Sequence, residues 1–335
     1  MIETNGQAGE EELERFGSSD PCLAQLSGLQ VGDYFVEALH KTGQYSQVYS
    51  ALSLKSGNPV AIKRPCKGQG QDNPFLTGVF LTGAYACDLG GPRAVEACPE
   101  SVFLAQLESL CEISHPHIIP VLECSRRAGT RWLAMPFLSG PTLRQAMTHL
   151  NWQESLALVE QLAKALSEVN GVGWHHMDLK PENILLSAGG PVLIDPGYRG
   201  ALRLQSGKTV EACVTTPVYN PGPEPSDIEA FGLILFELVT GILPTMCNRA
   251  PETSDAGESL LNFIEEHEVV GNFNFSRMRY LQRPSKIRSD CSPMTESILL
   301  NVLGLELRND RIEVKDSQKD WSEIAALLEK LRNER

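Results

Sequence analysis

The sequence lacks the cysteine pairs that mark a metal site or a disulfide framework. Its nine cysteines, an odd number, stand at positions 22, 66, 87, 98, 111, 124, 213, 247 and 291, and no two form a C-x-x-C pair. Reduced, mostly buried thiols are the reading that this scatter supports. A long hydrophobic run is also missing. The longest, Ala230 to Leu243, is interrupted by Gly232, Glu237 and Gly241, and it is too short to cross a bilayer. The first twenty residues are polar and rich in glutamate, so no secretory leader is expected and the location expected is cytoplasmic. Basic charge is scarce: 29 lysines and arginines against 42 acids leave a net charge of −13. Such a surface repels nucleic acid and anionic membranes, and neither is expected as a partner. Oligomeric state is not legible.

What is present is a soluble globular composition, 42% hydrophobic and 21% charged over 335 residues. That length holds one large two-lobed domain or two ordinary ones. Residues 1–28 mix acid, glycine and serine without periodicity and read as a mobile acidic leader. Three stretches of alternating character follow, around Tyr34–Ala38, Val48–Leu54 and Val60–Lys63, and they predict consecutive antiparallel strands. Helical periodicity is expected over Ser101–Ser114, Thr142–His149, Asn151–Val169, a stretch from Leu299 to Leu305, and Trp321–Leu331. Residues 245–290 are the least informative.

The chain is organised around His175–Leu186, which reads HHMDLKPENILL. From Asp178 it carries an acid, a cation two positions on and an amide five positions on, then a short apolar strand. An aspartate can accept the proton of an incoming hydroxyl, a lysine can neutralise a transferring phosphoryl group, and an asparagine oxygen can hold magnesium. Pro181 stiffens the turn so that these side chains project from a loop.

This stretch resembles the catalytic loop of the eukaryotic-type serine/threonine protein kinases, H-R-D-L-K-P-E-N, and matches it at seven of eight positions from His176 to Asn183. The resemblance extends over about residues 31 to 331. Lys41–Val48 stands where that family has its glycine-rich loop and keeps only Gly43, while Val60-Ala61-Ile62-Lys63 resembles the strand whose lysine holds the nucleotide phosphates. His115-Pro116-His117-Ile118 resembles the stretch after helix αC, which puts Gln106 where a glutamate usually pairs with that lysine. A glutamine oxygen can still accept from Lys63 but brings no charge. Gln106→Glu is therefore expected to leave activity unchanged or raise it. Met135 stands at the gatekeeper position and Pro136-Phe137-Leu138 at the hinge. Pro136 keeps its carbonyl and Leu138 its N–H for adenine recognition.

Asp195-Pro196-Gly197 resembles D-F-G, with the metal-holding aspartate kept and the packing phenylalanine lost. Thr215-Thr216-Pro217-Val218-Tyr219 resembles the family's G-T-P-x-Y, and Thr216 is expected to hydrogen-bond toward Asp178 and Lys180. Met177 cannot grip a phosphorylated residue as the family's arginine does. Pro223-Glu224 resembles the end of A-P-E, with Arg311 as the expected partner of Glu224, and Ser226–Gly241 resembles helix αF.

The fold implied is α+β and two-lobed. A small antiparallel-sheet lobe spans 29–138, with an insertion at about 65–100, and a mainly helical lobe spans 139–335. The activity implied is transfer of the γ-phosphate of Mg-ATP to a serine or threonine of a protein substrate. Asp178, Lys180, Lys63 and Thr216 would be catalytic. Gly43, Val48, Ala61, Lys63, Met135, Pro136, Leu138 and Leu185 would bind the nucleotide, and Asn183 and Asp195 the magnesium. Gln106, Pro196, Met177 and the missing glycines keep open a pseudokinase that binds nucleotide or a partner as a scaffold. A small-molecule phosphotransferase shares the Asp-to-Asn spacing but does not account for Lys180-Pro181-Glu182 or the Thr216 segment.

Overall fold

The computed structural model describes residues 26–66, 78–81, 95–216, 218–220, 225–242, 284–287, 289, 291–308, 311–314 and 320–333. The predicted strands form first. β1 (Gln30–Val31), β2 (Tyr34–Thr42), β3 (Ser46–Ser53) and β4 (Pro59–Pro65) run as an antiparallel meander. After β5 (Gly78–Leu81) and α1 (Pro99–Cys111), β6 (Glu123–Ser125) and β7 (Trp132–Pro136) complete a six-stranded sheet in the order β1-β2-β3-β4-β7-β6. Alternation along these strands gives the sheet two apolar faces. On one, Tyr34, Val36, Tyr49, Ala51, Val60, Ile62 and Ala134 are sealed by Leu26 and Val31. On the other, Ala61 and Met135, register partners across β4 and β7, join the core shared with the helices.

The helical half begins with α2 (Leu143–Ala146) and α3 (Trp152–Gly171). Capping boxes start both, with Thr142 against Gln145 and Asn151 against Glu154, and each satisfies two otherwise orphaned backbone donors. Past a 3-10 turn at Pro181–Asn183 come the hairpin of β8 (Ile184–Ser187) and β9 (Gly190–Leu193), then β10 (Tyr198–Arg203) and β11 (Thr209–Thr215). Helix α4 (Asp227–Thr240) starts on Ser226, whose hydroxyl accepts from the Glu229 N–H, and ends on Gly241 in the left-handed conformation. α5 (Pro284–Ile287), α6 (Pro293–Val302), β12 (Leu305–Arg308), β13 (Arg311–Val314) and α7 (Trp321–Asn333) finish the described chain. α4 is buried almost all round. Phe231, Leu233, Ile234, Leu235 and Phe236 are at most 2% exposed and form the centre of the main core.

One expectation needs correcting. The apolar stretch Leu299–Leu305 is not one helix: α6 stops at Val302, and Leu305 opens a strand after Gly304 turns the chain at φ 69°. α1 starts at Pro99, a residue suited to the first helical turn, at the end of the expected insertion at about 65–100. Residues 67–77 and 82–94 of that insertion, the leader up to residue 25, Glu224 and the side chain of Arg311 lie outside the described residues.

One feature was not expected from sequence. β10 and β11 form a hairpin to which β5, from the insertion, adds a third antiparallel strand, pairing Gly78 to Leu81 with Thr215 to Ala212. Leu202, Ala212 and Val214 of the hairpin pack on Val102 and Ala105 of α1 and on Ala97. Backbone bonds reinforce the join: the Cys98 N–H donates to the Arg203 carbonyl (2.8 Å) and the Gln205 N–H to the Glu96 carbonyl (3.0 Å).

Candidate active site

The loop between α3 and β8 is shaped by backbone bonds to α4. The Asp227 carboxylate, 5% exposed, accepts from the N–H groups of His176 and Met177, both at 2.8 Å. Asn170 at the end of α3 donates to the same carboxylate at 3.1 Å. Met177 is held at φ 61°, a left-handed conformation that is strained for a residue with a side chain. Asp227 grips its N–H, and the Thr215 hydroxyl donates to its carbonyl at 2.9 Å. The strain is thus held from both sides.

The loop carries Asp178, Lys180 and Asn183 into the interior, at 1%, 6% and 2% exposure. The Asn183 amide nitrogen donates to the Asp178 carbonyl (2.9 Å), to Asp178 Oδ2 (3.1 Å) and to the Asp195 carbonyl (3.3 Å). These bonds occupy the nitrogen end and leave the amide oxygen, the end that can bind a cation, out of the network. Lys180 Nζ donates to the Thr216 hydroxyl at 2.8 Å and lies 3.8 Å from Asp178 Oδ2. The structure thus brings Thr216 onto Lys180, the second of the two residues toward which it was expected to bond.

A second group faces the first from the sheet. Lys63, on β4 and 4% exposed, donates to Asp195 Oδ1 at 2.9 Å and to Gln106 Oε1 at 3.0 Å. Burial pushes the Asp195 carboxyl up, but Lys63 beside it, with Lys41 and Lys180 further off, holds it down at about 2, so it is ionised at neutral pH. Asp195 itself stands at φ 51°. Its neighbours fix it: the Ile194 N–H donates to the Asn183 carbonyl (3.0 Å) and the Gly197 N–H to the His176 carbonyl (2.7 Å). Gly197 has no substitute here, since a Cβ would lie 2.3 Å from the Val214 carbonyl oxygen.

Among the residues expected around a base, Val48, Ala61 and Met135 share the inner face of β3, β4 and β7, with Val48 opposite Lys63 and Ala61 opposite Met135. Pro136 ends β7 opposite Val60 and Leu138 follows it, half-buried. Leu185 is half-buried on β8 opposite Val192, in the helical half. Gly43 closes the β2–β3 turn by donating its N–H to the Ser46 carbonyl at 2.8 Å. His40 on β2 meets the Phe137 ring edge to face, with 5.2 Å between centroids.

Sequence reasoning missed one cluster. Arg144 of α2 donates to Glu182 Oε1 at 2.7 Å, to Glu237 of α4 and to the Tyr219 hydroxyl, which itself donates to Glu237 Oε2 at 2.8 Å. The two carboxylates raise the Arg144 pKa, and burial beside Glu237 raises that of Tyr219. Four segments distant in sequence thereby meet at Arg144, beside Glu182 of the Asp178 loop. The signal available was a charged residue, Glu237, in the middle of an apolar helix, because such a charge needs a partner.

The protein kinase domain model matches residues 93–316, more than half of the chain. The probable serine/threonine-protein kinase PknB of Lactococcus lactis is 30% identical over 155 residues, covering 42% of this chain and 25% of that protein. The serine/threonine-protein kinase ATG1c of Arabidopsis thaliana is 28% identical over 264 residues, covering 74% of this chain and 31% of that protein. Among solved structures, the PpkA-294 apo form superposes with a TM-score of 0.54 at 19% identity, covering 91% of this chain and 99% of that one, which supports the fold alone. The matches span about a quarter to a third of the curated relatives' length. The chain belongs to the protein kinase domain family, and its fold is the two-lobed kinase fold.

Proposed function

We propose that this protein kinase family member transfers the γ-phosphate of ATP to a serine or threonine hydroxyl of a protein substrate. The observation that carries the reading is the buried convergence of Asp178, Asn183 and Lys180 of one loop with Thr216 in one hydrogen-bonded network. In this reading Asp178 takes the proton of the accepting hydroxyl, and Lys180 offers its positive charge to the phosphoryl group. Thr216 fixes the position of Lys180. Asn183, through its amide oxygen, and the ionised Asp195 are a hard oxygen pair of the kind magnesium prefers, and would hold it. The metal would supply charge neutralisation at the phosphates. Lys63 would hold the nucleotide phosphates, between a hinge formed by Met135, Pro136 and Leu138 and the apolar residues Val48, Ala61 and Leu185, with Gly43 in the covering turn.

Use of ATP and magnesium and action on protein are general to the family. Assigning them to these residues, and placing the boundary between lobes at 138/139, belong to the proposal. Among the described residues no helix is long and apolar enough to cross a membrane. Cys98, Cys111 and Cys124 carry thiols outside any disulfide, which supports a reducing, cytoplasmic setting. The reading is tested by autophosphorylation and generic-substrate phosphorylation with labelled ATP and magnesium, wild type beside Asp178→Asn. Label on serine or threonine that disappears in the variant, with nucleotide binding kept, is expected. Equal label from both would remove Asp178 from its role, and nucleotide binding without any label would replace the kinase by a scaffold.

A further inference from the structure

Gln106 stands in the family's glutamate position, and its contacts explain why an amide suits this chain. Its Oε1 accepts from Lys63 Nζ at 3.0 Å while its Nε2 donates to the Pro196 carbonyl at 2.8 Å. The orientation of the amide is fixed by chemistry: an ammonium has only donors and a proline carbonyl only accepts. Gln106 is 8% exposed and Pro196 is buried, so water does not readily replace either bond.

We propose that Gln106 is a positioning residue, a two-ended latch that ties Lys63 and the Asp195-Pro196-Gly197 turn to α1. It takes over the joint that a charged glutamate and an apolar phenylalanine make in the family. An ionised glutamate keeps the contact with Lys63 but has no hydrogen to give to Pro196. It also sets a second carboxylate beside the ammonium that already serves Asp195 (2.9 Å). The expectation that Gln106→Glu is neutral or beneficial is thereby reversed: the two departures, at 106 and 196, form one unit.

The inference rests on the kinase reading for its consequence but not for its geometry, and two measurements separate them. Hydrogen exchange on the nucleotide-free protein compares wild type, Gln106→Glu and Gln106→Met. Both variants should exchange the amides of residues 192–198 about tenfold faster, with those of α4 unchanged. Steady-state kinetics should show kcat/KM for ATP about tenfold lower in both variants, with the KM for the protein substrate close to wild type. A purely structural role would instead lower only the active fraction, with both KM values unmoved. Exchange in 192–198 that is unaltered in both variants overturns the latch, as does Gln106→Glu transferring phosphate as well as wild type. Faster exchange in the variants of a wild type that transfers nothing upholds the latch and overturns the kinase reading.

Discussion

Glu229 offers a perturbation whose size can be worked out. It lies in the first turn of α4, where its side chain would ordinarily complete a capping box by accepting from the Ser226 N–H. That N–H instead donates to Asn220 Oδ1 at 3.0 Å. Burial then pushes the Glu229 carboxyl up to about 7 from 4.5. Between those two values the folded chain keeps a proton that the unfolded chain has released, so stability falls as pH rises through the window. The full effect, reached above pH 7, is about 3 kcal/mol at roughly 1.4 kcal/mol per pH unit. Glu229 is only half-buried, and solvent reduces this to about 2 kcal/mol. The negative end also gains about 0.3–1 kcal/mol from the helix dipole, which a neutral side chain forgoes. Glu229→Gln should therefore stabilise the protein by about 1–2 kcal/mol at pH 8 and by only about 0.5–1 kcal/mol at pH 5, where the window has just opened. Urea unfolding at the two pH values measures it. A gain of equal size at both, or a loss at pH 8, would refute the argument from burial.

Two further perturbations probe the joints around the site. Arg144→Met strands Glu182 and Glu237 beside each other; breaking such a pair costs about 3–5 kcal/mol when fully buried. With the Arg144 side chain 32% exposed, about 2–4 kcal/mol is expected, and adding Glu237→Gln should return part of it in denaturant unfolding. Leu202→Ala opens a cavity between the β10–β11 hairpin and α1, where Leu202 is 1% exposed, and should cost about 2–4 kcal/mol. Hydrogen exchange should show residues 198–215 losing protection before the main core does. Uniform loss across the chain would mean that the hairpin is not a separable unit.

Much of the fold and the centre of the site were legible because their signals are local. Asp178, Lys180 and Asn183 fall within six consecutive residues, and the meander of β2, β3 and β4 is written in alternation with short turns between. The end of α4 at Gly241 follows from the same kind of adjacent evidence. Thr216, thirty-six positions from Lys180, was reached only through the family resemblance. What escaped depends on pairings between distant segments. Thr209–Thr215 alternates in the manner of a strand, yet nothing local says that its partner is Gly78–Leu81 from the insertion. Arg144 looks like an ordinary polar residue of a short helix until Glu182, Tyr219 and Glu237 are brought to it. Gln106 was identified at the right place and only half understood, since its bond to Pro196 joins residues ninety positions apart.

That half-reading bears on how substitutions in this family should be weighed. Taken singly, Gln106 forfeits an ion pair, Pro196 an apolar wedge and Met177 a phosphate clasp. Taken as neighbours, they leave a different account. The amide of Gln106 bonds to the carbonyl of Pro196, and the backbone of Met177 is held by Asp227 and Thr215 instead of by its side chain. The segment that a phosphate would order is already paired with β5 and packed on α1. Ordering by hydrogen bonds and apolar burial needs no charge, and it is not reversed by removal of a phosphate. Of the losses that argue for an inert scaffold, those at 106, 196 and 177 are thus each matched by a contact that holds the same segment, and the five groups proposed to touch phosphate, metal and hydroxyl, Lys63, Lys180, Asn183, Asp195 and Asp178, stay where those contacts put them.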